Sequence, residues 1–133
     1  MADNSSVHFF NYYITTDPVE MDDGRPVSEA MALTINGMFA RVMSMDPRVA
    51  MDLKRLIRTY PFVPALRNLL TTYYRIRGEL DKAYVQNRET FELFPDYVFA
   101  RTNLVHEYID TGQFEKVEDM LGQHLDISDI LPE

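Results

Sequence analysis

The stretch LTTYYRIRGELDKA, residues 70–83, returns in outline as LVHEYIDTGQFEKV, residues 104–117. Laying Leu70 on Leu104 at a fixed offset also lays Tyr74 on Tyr108, Gly78 on Gly112, Leu80 on Phe114 and Ala83 on Val117. Amphipathicity alone repeats every few residues and would not fix a glycine at one place in both copies. The coincidence therefore points to a structural unit repeated in space. Within each copy apolar residues stand three and four apart, a glycine interrupts them, and the helical spacing then resumes. Two helices joined by a tight turn fit this pattern, with glycine accepting the left-handed backbone that ends the first.

Outward from this stretch, a helix is expected from Val63 or Pro64 to Arg77, burying Leu66, Leu69, Leu70, Tyr73 and Tyr74. Its partner runs from about Glu79 to Phe94 and stops at Pro95; its apolar side is Leu80, Ala83, Tyr84, Phe91 and Leu93, with Asn87 an exception among them. Asp96 is read as the cap of a helix from Tyr97 to Thr111, and Phe114, Val117, Met120 and Leu121 mark a short helix beyond Gly112. Toward the amino terminus, Ser28 caps a helix with Met31, Ile35, Met38, Phe39 and Val42 on one stripe, ending near Ser44. Asp46-Pro47 then reads as a start signal, the aspartate accepting free backbone donors and the proline filling the first helical position. Val49, Leu53, Leu56 and Ile57 line that helix, and Pro61 ends it.

The flanks follow different rules. Residues 1–27 form an arm and linker, in which Val7 to Thr15 is aromatic without clean alternation and Asp17 to Pro26 is acidic and turn-rich; an extended, non-helical arm is expected. Phe9, Phe10, Tyr12 and Tyr13 give it enough aromatic surface to pack on the helices or on a partner. After His124, Leu125, Ile127, Ile130 and Leu131 keep helical intervals until Pro132, either as a terminal turn or as the start of a further element.

With 133 residues, 46% hydrophobic and 26% charged, the chain has the size and composition of one globular domain. It has no cysteine, which removes disulfides, thiolate metal sites and thiol nucleophiles. There is neither a basic-then-apolar leader pattern at the start nor a run of apolar residues long enough to span a bilayer, so a cytoplasmic location and no membrane partner are expected. The formal charge of -8 is unevenly spread: residues 1–47 hold 2 basic and 7 acidic groups, residues 48–88 hold 9 and 3, and residues 89–133 hold 2 and 11. A basic middle between acidic ends suits internal pairing, a solvated surface or an acidic peptide. Nucleic acid is not expected, given the acidic total and the lack of a reading element.

The period, the glycines, Ala83 and Pro95 resemble the tetratricopeptide repeat family, whose unit of the same length is an antiparallel helix pair. The resemblance implies an all-α fold of helical hairpins stacked as a short right-handed superhelix, within a helical domain at 28–133. Its repeats would be 30–63, 64–97 and 98–131, the first of them divergent. Leu70 and Leu104 take the family's large apolar position, Tyr74 and Tyr108 its aromatic position, Gly78 and Gly112 its turn, and Ala83 its small crossing residue. The chain departs from the family at several places. Arg67 and Arg101 stand where an aromatic is usual, Thr71 and Val105 where a small residue is, Val117 where an alanine is, and Asp129 where a closing proline is. In the divergent unit Gly37 takes the small crossing position and Pro61 the closing one, while Ser44-Met45-Asp46-Pro47 replaces the glycine turn. A closed helical bundle would use the same stripes but pack them around one centre.

The same resemblance implies a concave face built from first helices that binds a peptide or protein segment, so the chain is expected to be a non-enzymatic adaptor. Groove positions carried over are Ala65, Asn68, Thr72, Arg75 and Ile76 in the middle unit, and Phe99, Thr102, His106, Ile109 and Asp110 in the last; Met38 and Arg41, with Met31, Thr34 and Val42, stand for the divergent unit. The family's clamp for a peptide carboxyl terminus is echoed only by Asn68 and Asn103, so that specificity is not assigned. Self-association through the arm or a terminal hairpin, giving a homo-oligomer, is the structural alternative. No catalytic, metal or cofactor site is expected: His8, His106 and His124 are far apart in sequence, and no glycine-rich phosphate loop or nucleophile elbow occurs. His106, Glu107 and Asp110 share a helix, but neighbours on a helix point apart, and Glu115, Glu118 and Asp119 read as a solvated face.

Overall fold

The computed structural model describes residues 7–9, 12–14 and 27–124. Two short strands, β1 (Val7–Phe9) and β2 (Tyr12–Ile14), pair antiparallel with Val7 opposite Ile14, His8 opposite Tyr13 and Phe9 opposite Tyr12. The aromatic stretch of the arm thus contains a hairpin that its irregular alternation only suggested. The acidic link and the tail from Leu125, including the end of the 98–131 unit, lie outside the described residues. Six helices follow among the described residues: α1 (Glu29–Met43), α2 (Val49–Thr59), α3 (Pro64–Ile76), α4 (Leu80–Leu93), α5 (Val98–Asp110) and α6 (Phe114–His124).

Each helix packs on the next in sequence, and α1 also reaches α3. This order is consistent with a helical solenoid, in which short connections hold neighbouring helices antiparallel and each hairpin rests on the one before. Among the described residues no helix is long and apolar enough to cross a membrane. The starts of α3 and α5, at Pro64 and Val98, are separated by the same interval as those of α4 and α6, at Leu80 and Phe114, and it is the interval from Leu70 to Leu104.

Local chemistry explains the boundaries. Ser28 caps α1 as expected, its hydroxyl accepting from the Met31 amide at 3.1 Å. At the far end of α1, Met45 has φ 60°; its amide donates to the Val42 carbonyl and the Asp46 amide to the Arg41 carbonyl, both at 3.0 Å. Gly78 (φ 77°) and Gly112 (φ 74°) end α3 and α5 with the same pair of bonds, Gly78 to Arg75 and Glu79 to Tyr74, then Gly112 to Ile109 and Gln113 to Tyr108. Methionine therefore does in the first hairpin what glycine does in the other two. By this turn Met45 matches Gly78, one position closer than Gly78 stands to Gly112. The buried Val49 and Leu53 of α2, by contrast, keep full step with the buried Ala83 and Asn87 of α4. The divergent unit is thus one residue short at its turn, and the register of α1 slips by one from that expected for 30–63.

Two start signals act differently from expectation. The Asp46 carboxylate does accept a free backbone donor, the Arg48 amide at 2.9 Å, but Pro47 lies in the turn and α2 begins at Val49. Asp46 holds the turn open past Pro47, its carboxylate accepting from the Arg48 amide and its carbonyl from the Val49 amide at 3.2 Å, so the helix starts only beyond them. Asp96 does not cap α5. The cap position is Tyr97, without a side-chain bond, and the turn is closed by the Tyr97 amide donating to the Phe94 carbonyl at 3.0 Å.

The main apolar core joins α1, α2 and α3, with Ile35, Met38, Phe39, Val42, Val49, Leu53, Leu66, Leu69 and Leu70 among its buried members. At roughly 1.5–3 kcal/mol for each large side chain fully buried, it is the principal stabilising element of the described body.

Candidate functional site

The first helices α3 and α5 set the candidate positions in register, so Ala65, Asn68, Thr72, Arg75 and Ile76 correspond to Phe99, Thr102, His106, Ile109 and Asp110. The structure divides these residues by accessibility. Ala65, Asn68, Thr72 and Met38 are buried. Arg41, Arg75, Ile76, Phe99, Thr102 and His106 are partly buried, and Ile109 and Asp110 are exposed. The accessible members are thus concentrated on α5 and the carboxyl end of α3.

Asn68 sits at the meeting of three helices. The Asn103 side-chain amide on α5 donates to Asn68 Oδ1 on α3 at 2.9 Å and, more weakly, to Asn87 Oδ1 on α4 at 3.4 Å. Asn87 in turn donates to the Ala100 carbonyl at 3.0 Å. A buried amide without a partner costs free energy, so this chain of bonds fixes how α3, α4 and α5 meet. Thr72 is turned back on its own helix, its hydroxyl donating to the Asn68 carbonyl at 3.0 Å.

A polar cluster closes the carboxyl ends of α3 and α5. The Tyr84 hydroxyl donates to Asp110 Oδ2 at 2.9 Å, and Arg75 Nη2 lies 3.8 Å from the same oxygen. Burial, then the bond to Asp110, push the Tyr84 phenol up. His106 is held below the usual histidine range, first by burial and then by the Arg75 charge, with Asp110 opposing. The imidazole is therefore favoured in its neutral form, able both to donate and to accept. Ile109, 48% exposed, stands in the turn of helix beside it.

Arg41 and Met38 belong to a different assembly. Arg41 donates to Asp46 and to Asp52, each at 2.8 Å, and to the Met38 sulfur at 3.6 Å, tying α1 to α2. Asp46 is held below the usual carboxylate range by the Arg48 amide and by Arg41. By turn geometry the counterparts of Arg41 are Tyr74 and Tyr108, not Arg75.

Of His106, Glu107 and Asp110, Glu107 turns away from the other two, while His106 and Asp110 share one side of α5 and interact. Glu107 turns inward and is only 2% exposed, accepting from Arg88 Nε at 3.0 and 3.2 Å and from Arg88 Nη2, whereas Asp110 turns to Tyr84. Among the described residues there is no group of three or more histidine and carboxylate side chains placed to hold a metal. The network of Asn87, Asn103, Arg88 and Glu107 was not foreseen. Its one sequence signal was Asn87 in an otherwise apolar stripe. Arg67 and Arg101, at one repeat position, both bury an Nε without a hydrogen-bond partner, and the Arg67 guanidinium reaches Glu89 at 3.3 Å.

No family model, curated protein or solved structure matches the chain.

Proposed function

We propose that the chain is a short tetratricopeptide-like array that acts by binding, holding a peptide or protein segment of a cytoplasmic partner on the face formed by its first helices. The reading is carried by one observation: two successive hairpins start at Pro64 and Val98, and their first helices end with left-handed glycines, Gly78 and Gly112, at the same spacing. In a right-handed stack of such hairpins the first helices line the inner side. The bound segment would lie across Arg75, Ile76, Phe99, Thr102, His106, Ile109 and Asp110, while Asn68 and Thr72 support that surface from beneath. Phe99 and Ile109 supply apolar anchoring, and Arg75, His106 and Asp110 fix polar groups of the ligand.

The test is selection of binders from a random peptide display library on the full chain, followed by amide shift mapping of the best one. Shifts should centre on Ile76, Thr102, His106 and Ile109, and Ile109→Glu should weaken binding by about tenfold or more, in line with loss of a central apolar contact. Shifts confined to the outward sides of α2 and α4, around Arg55 and Glu92, would refute the assignment.

A further inference from the structure

The outward sides of the second helices change sign along the array. Met51 on α2, Val85 on α4 and Asp119 on α6 are equivalent outward positions in the register of the repeat, and Met51 and Val85 are 67% and 64% exposed. Beside Met51, at helical spacings of three, four and seven, stand the exposed Lys54, Arg55 and Arg58. The one acid of α2, Asp52, is half-buried and bonded to Arg41 and Arg55. The outer side of α4 is mixed, since Arg88 is paired to Glu107, Glu89 to Arg67 and Lys82 to Glu79, leaving Asp81 and Glu92 around Val85. On α6 the exposed Glu115, Glu118 and Asp119 outnumber Lys116. One surface therefore runs from positive at α2, through mixed with acids in slight excess at α4, to negative at α6.

We propose that this surface joins two copies of the chain about a two-fold axis, α2 of each copy lying against α6 of the other and the two α4 helices meeting at the axis. A two-fold contact uses the same patch twice, so the patch must complement itself. A strip positive at one end and negative at the other does so only when the second copy is reversed; the parallel arrangement sets Arg55 and Arg58 against themselves. Two of the three zones also hold an exposed apolar side chain, Met51 on α2 and Val85 at the axis. The charges set the orientation, and the apolar groups gain from leaving water. The first-helix face stays open in this dimer, so the inference does not depend on the peptide-binding reading.

Sedimentation equilibrium of the full chain from micromolar to millimolar concentration should show a monomer–dimer equilibrium that weakens as salt is raised, because exposed charges are screened within about 10 Å at 0.1 M salt. Arg55→Glu with Arg58→Glu makes both inter-copy contacts acid on acid, and Glu115→Lys with Asp119→Lys makes both base on base. Each pair should weaken self-association by about tenfold or more. Mixed in equal amounts, the two variants should associate as tightly as the parent, since every α2–α6 contact in the mixed dimer again joins opposite charges. Val85→Glu, which leaves all those pairs in place but adds two anions at the axis to the Asp81 and Glu92 of both copies, should weaken the parent dimer by itself, and it serves as the second readout if a charge-reversed pair loses helicity. A parent chain that stays monomeric at millimolar concentration overturns the proposal. So does a mixture of folded variants that fails to restore association, or a dimer indifferent to Val85→Glu.

Discussion

The packing of α1, α2 and α3 and the packing of α3, α4 and α5 solve one geometric problem with different chemistry. In the first region the buried residues are nearly all apolar, with Val42, Val49, Leu53 and Leu66 wholly enclosed. In the second, Ala83, Phe94, Ala100 and Leu104 share the interior with Asn87, Thr90, Asn103 and Glu107. Apolar burial is non-directional and scales with area, so the first region gains much stabilisation from contacts that tolerate small shifts. Hydrogen bonds contribute only about 0.5–1.5 kcal/mol net each but demand particular distances and angles. The second region therefore gains less in free energy and more in definition: Asn68 and Asn103 meet only if α3 and α5 are correctly offset. One repeat period can thus be held by area at one end and by geometry at the other.

The sharpest way to break that contrast is a cavity in the apolar region. Leu66→Ala removes a wholly buried side chain from the core of α1, α2 and α3 and should cost about 2–5 kcal/mol, read as a fall in the urea midpoint at unchanged slope. The solenoid order makes a further demand. If the α1–α3 core is the principal stabilising element, the helical signal of the whole chain should be lost at the lower midpoint. A variant in which half the signal melts early and the rest melts at the parent midpoint would show that the polar region stands alone, and would defeat the reading of this core.

The next effect tests the polar region. Arg88→Met keeps the aliphatic stem but leaves the Glu107 carboxylate buried without its cation. A fully buried pair broken in this way costs about 3–5 kcal/mol. Arg88 is itself 55% exposed and water can reach the site, so a loss of about 2–3 kcal/mol is expected. The double variant Arg88→Met with Glu107→Met should recover most of that loss, because an apolar pair of similar volume needs no solvation. If the double variant is as unstable as the single one, the pair matters through shape and not through charge, and the contrast between the regions narrows.

What the sequence made legible follows the same division. The described helices, their order and the apolar faces of the first three were readable because periodicity reports burial directly, as with Ile35, Met38, Phe39 and Val42 on α1, whereas Leu80 and Leu93 on α4 and Phe114 on α6, expected on apolar faces, are exposed. Gly78 and Gly112 were readable because few residues other than glycine adopt their backbone. The polar network was not, because an asparagine looks alike whether it faces water or another asparagine. Asn103 also lies one position beyond Thr102, the repeat equivalent of Asn68, so alignment by period does not pair the two asparagines. Arg88 and Glu107 hide for a related reason, since nothing local tells an exposed carboxylate from one enclosed by a neighbouring helix. The candidate surface was legible only as positions. Which of them reach solvent depends on those same buried bonds, as Thr72 and Asn68 show.

The smallest expected effect lies at the turns, and its sign separates the two regions. Gly112 ends α5 at φ 74° with open space where a Cβ would stand, so Gly112→Ala meets backbone strain alone and should cost about 1 kcal/mol. Met45 ends α1 at φ 60° with a side chain that is 46% exposed, so it already carries that strain and gains little from packing. Met45→Gly should therefore stabilise the chain by about 0.5–1 kcal/mol, less the entropy that glycine adds to the unfolded state. The two Schellman bonds, Met45 to Val42 and Asp46 to Arg41, should survive unchanged, and amide exchange at both positions should slow along with the rise in midpoint. A loss of stability in Met45→Gly would mean that the methionine side chain holds the short first turn by contact, and that the missing residue in this hairpin is compensated by packing and not by backbone conformation.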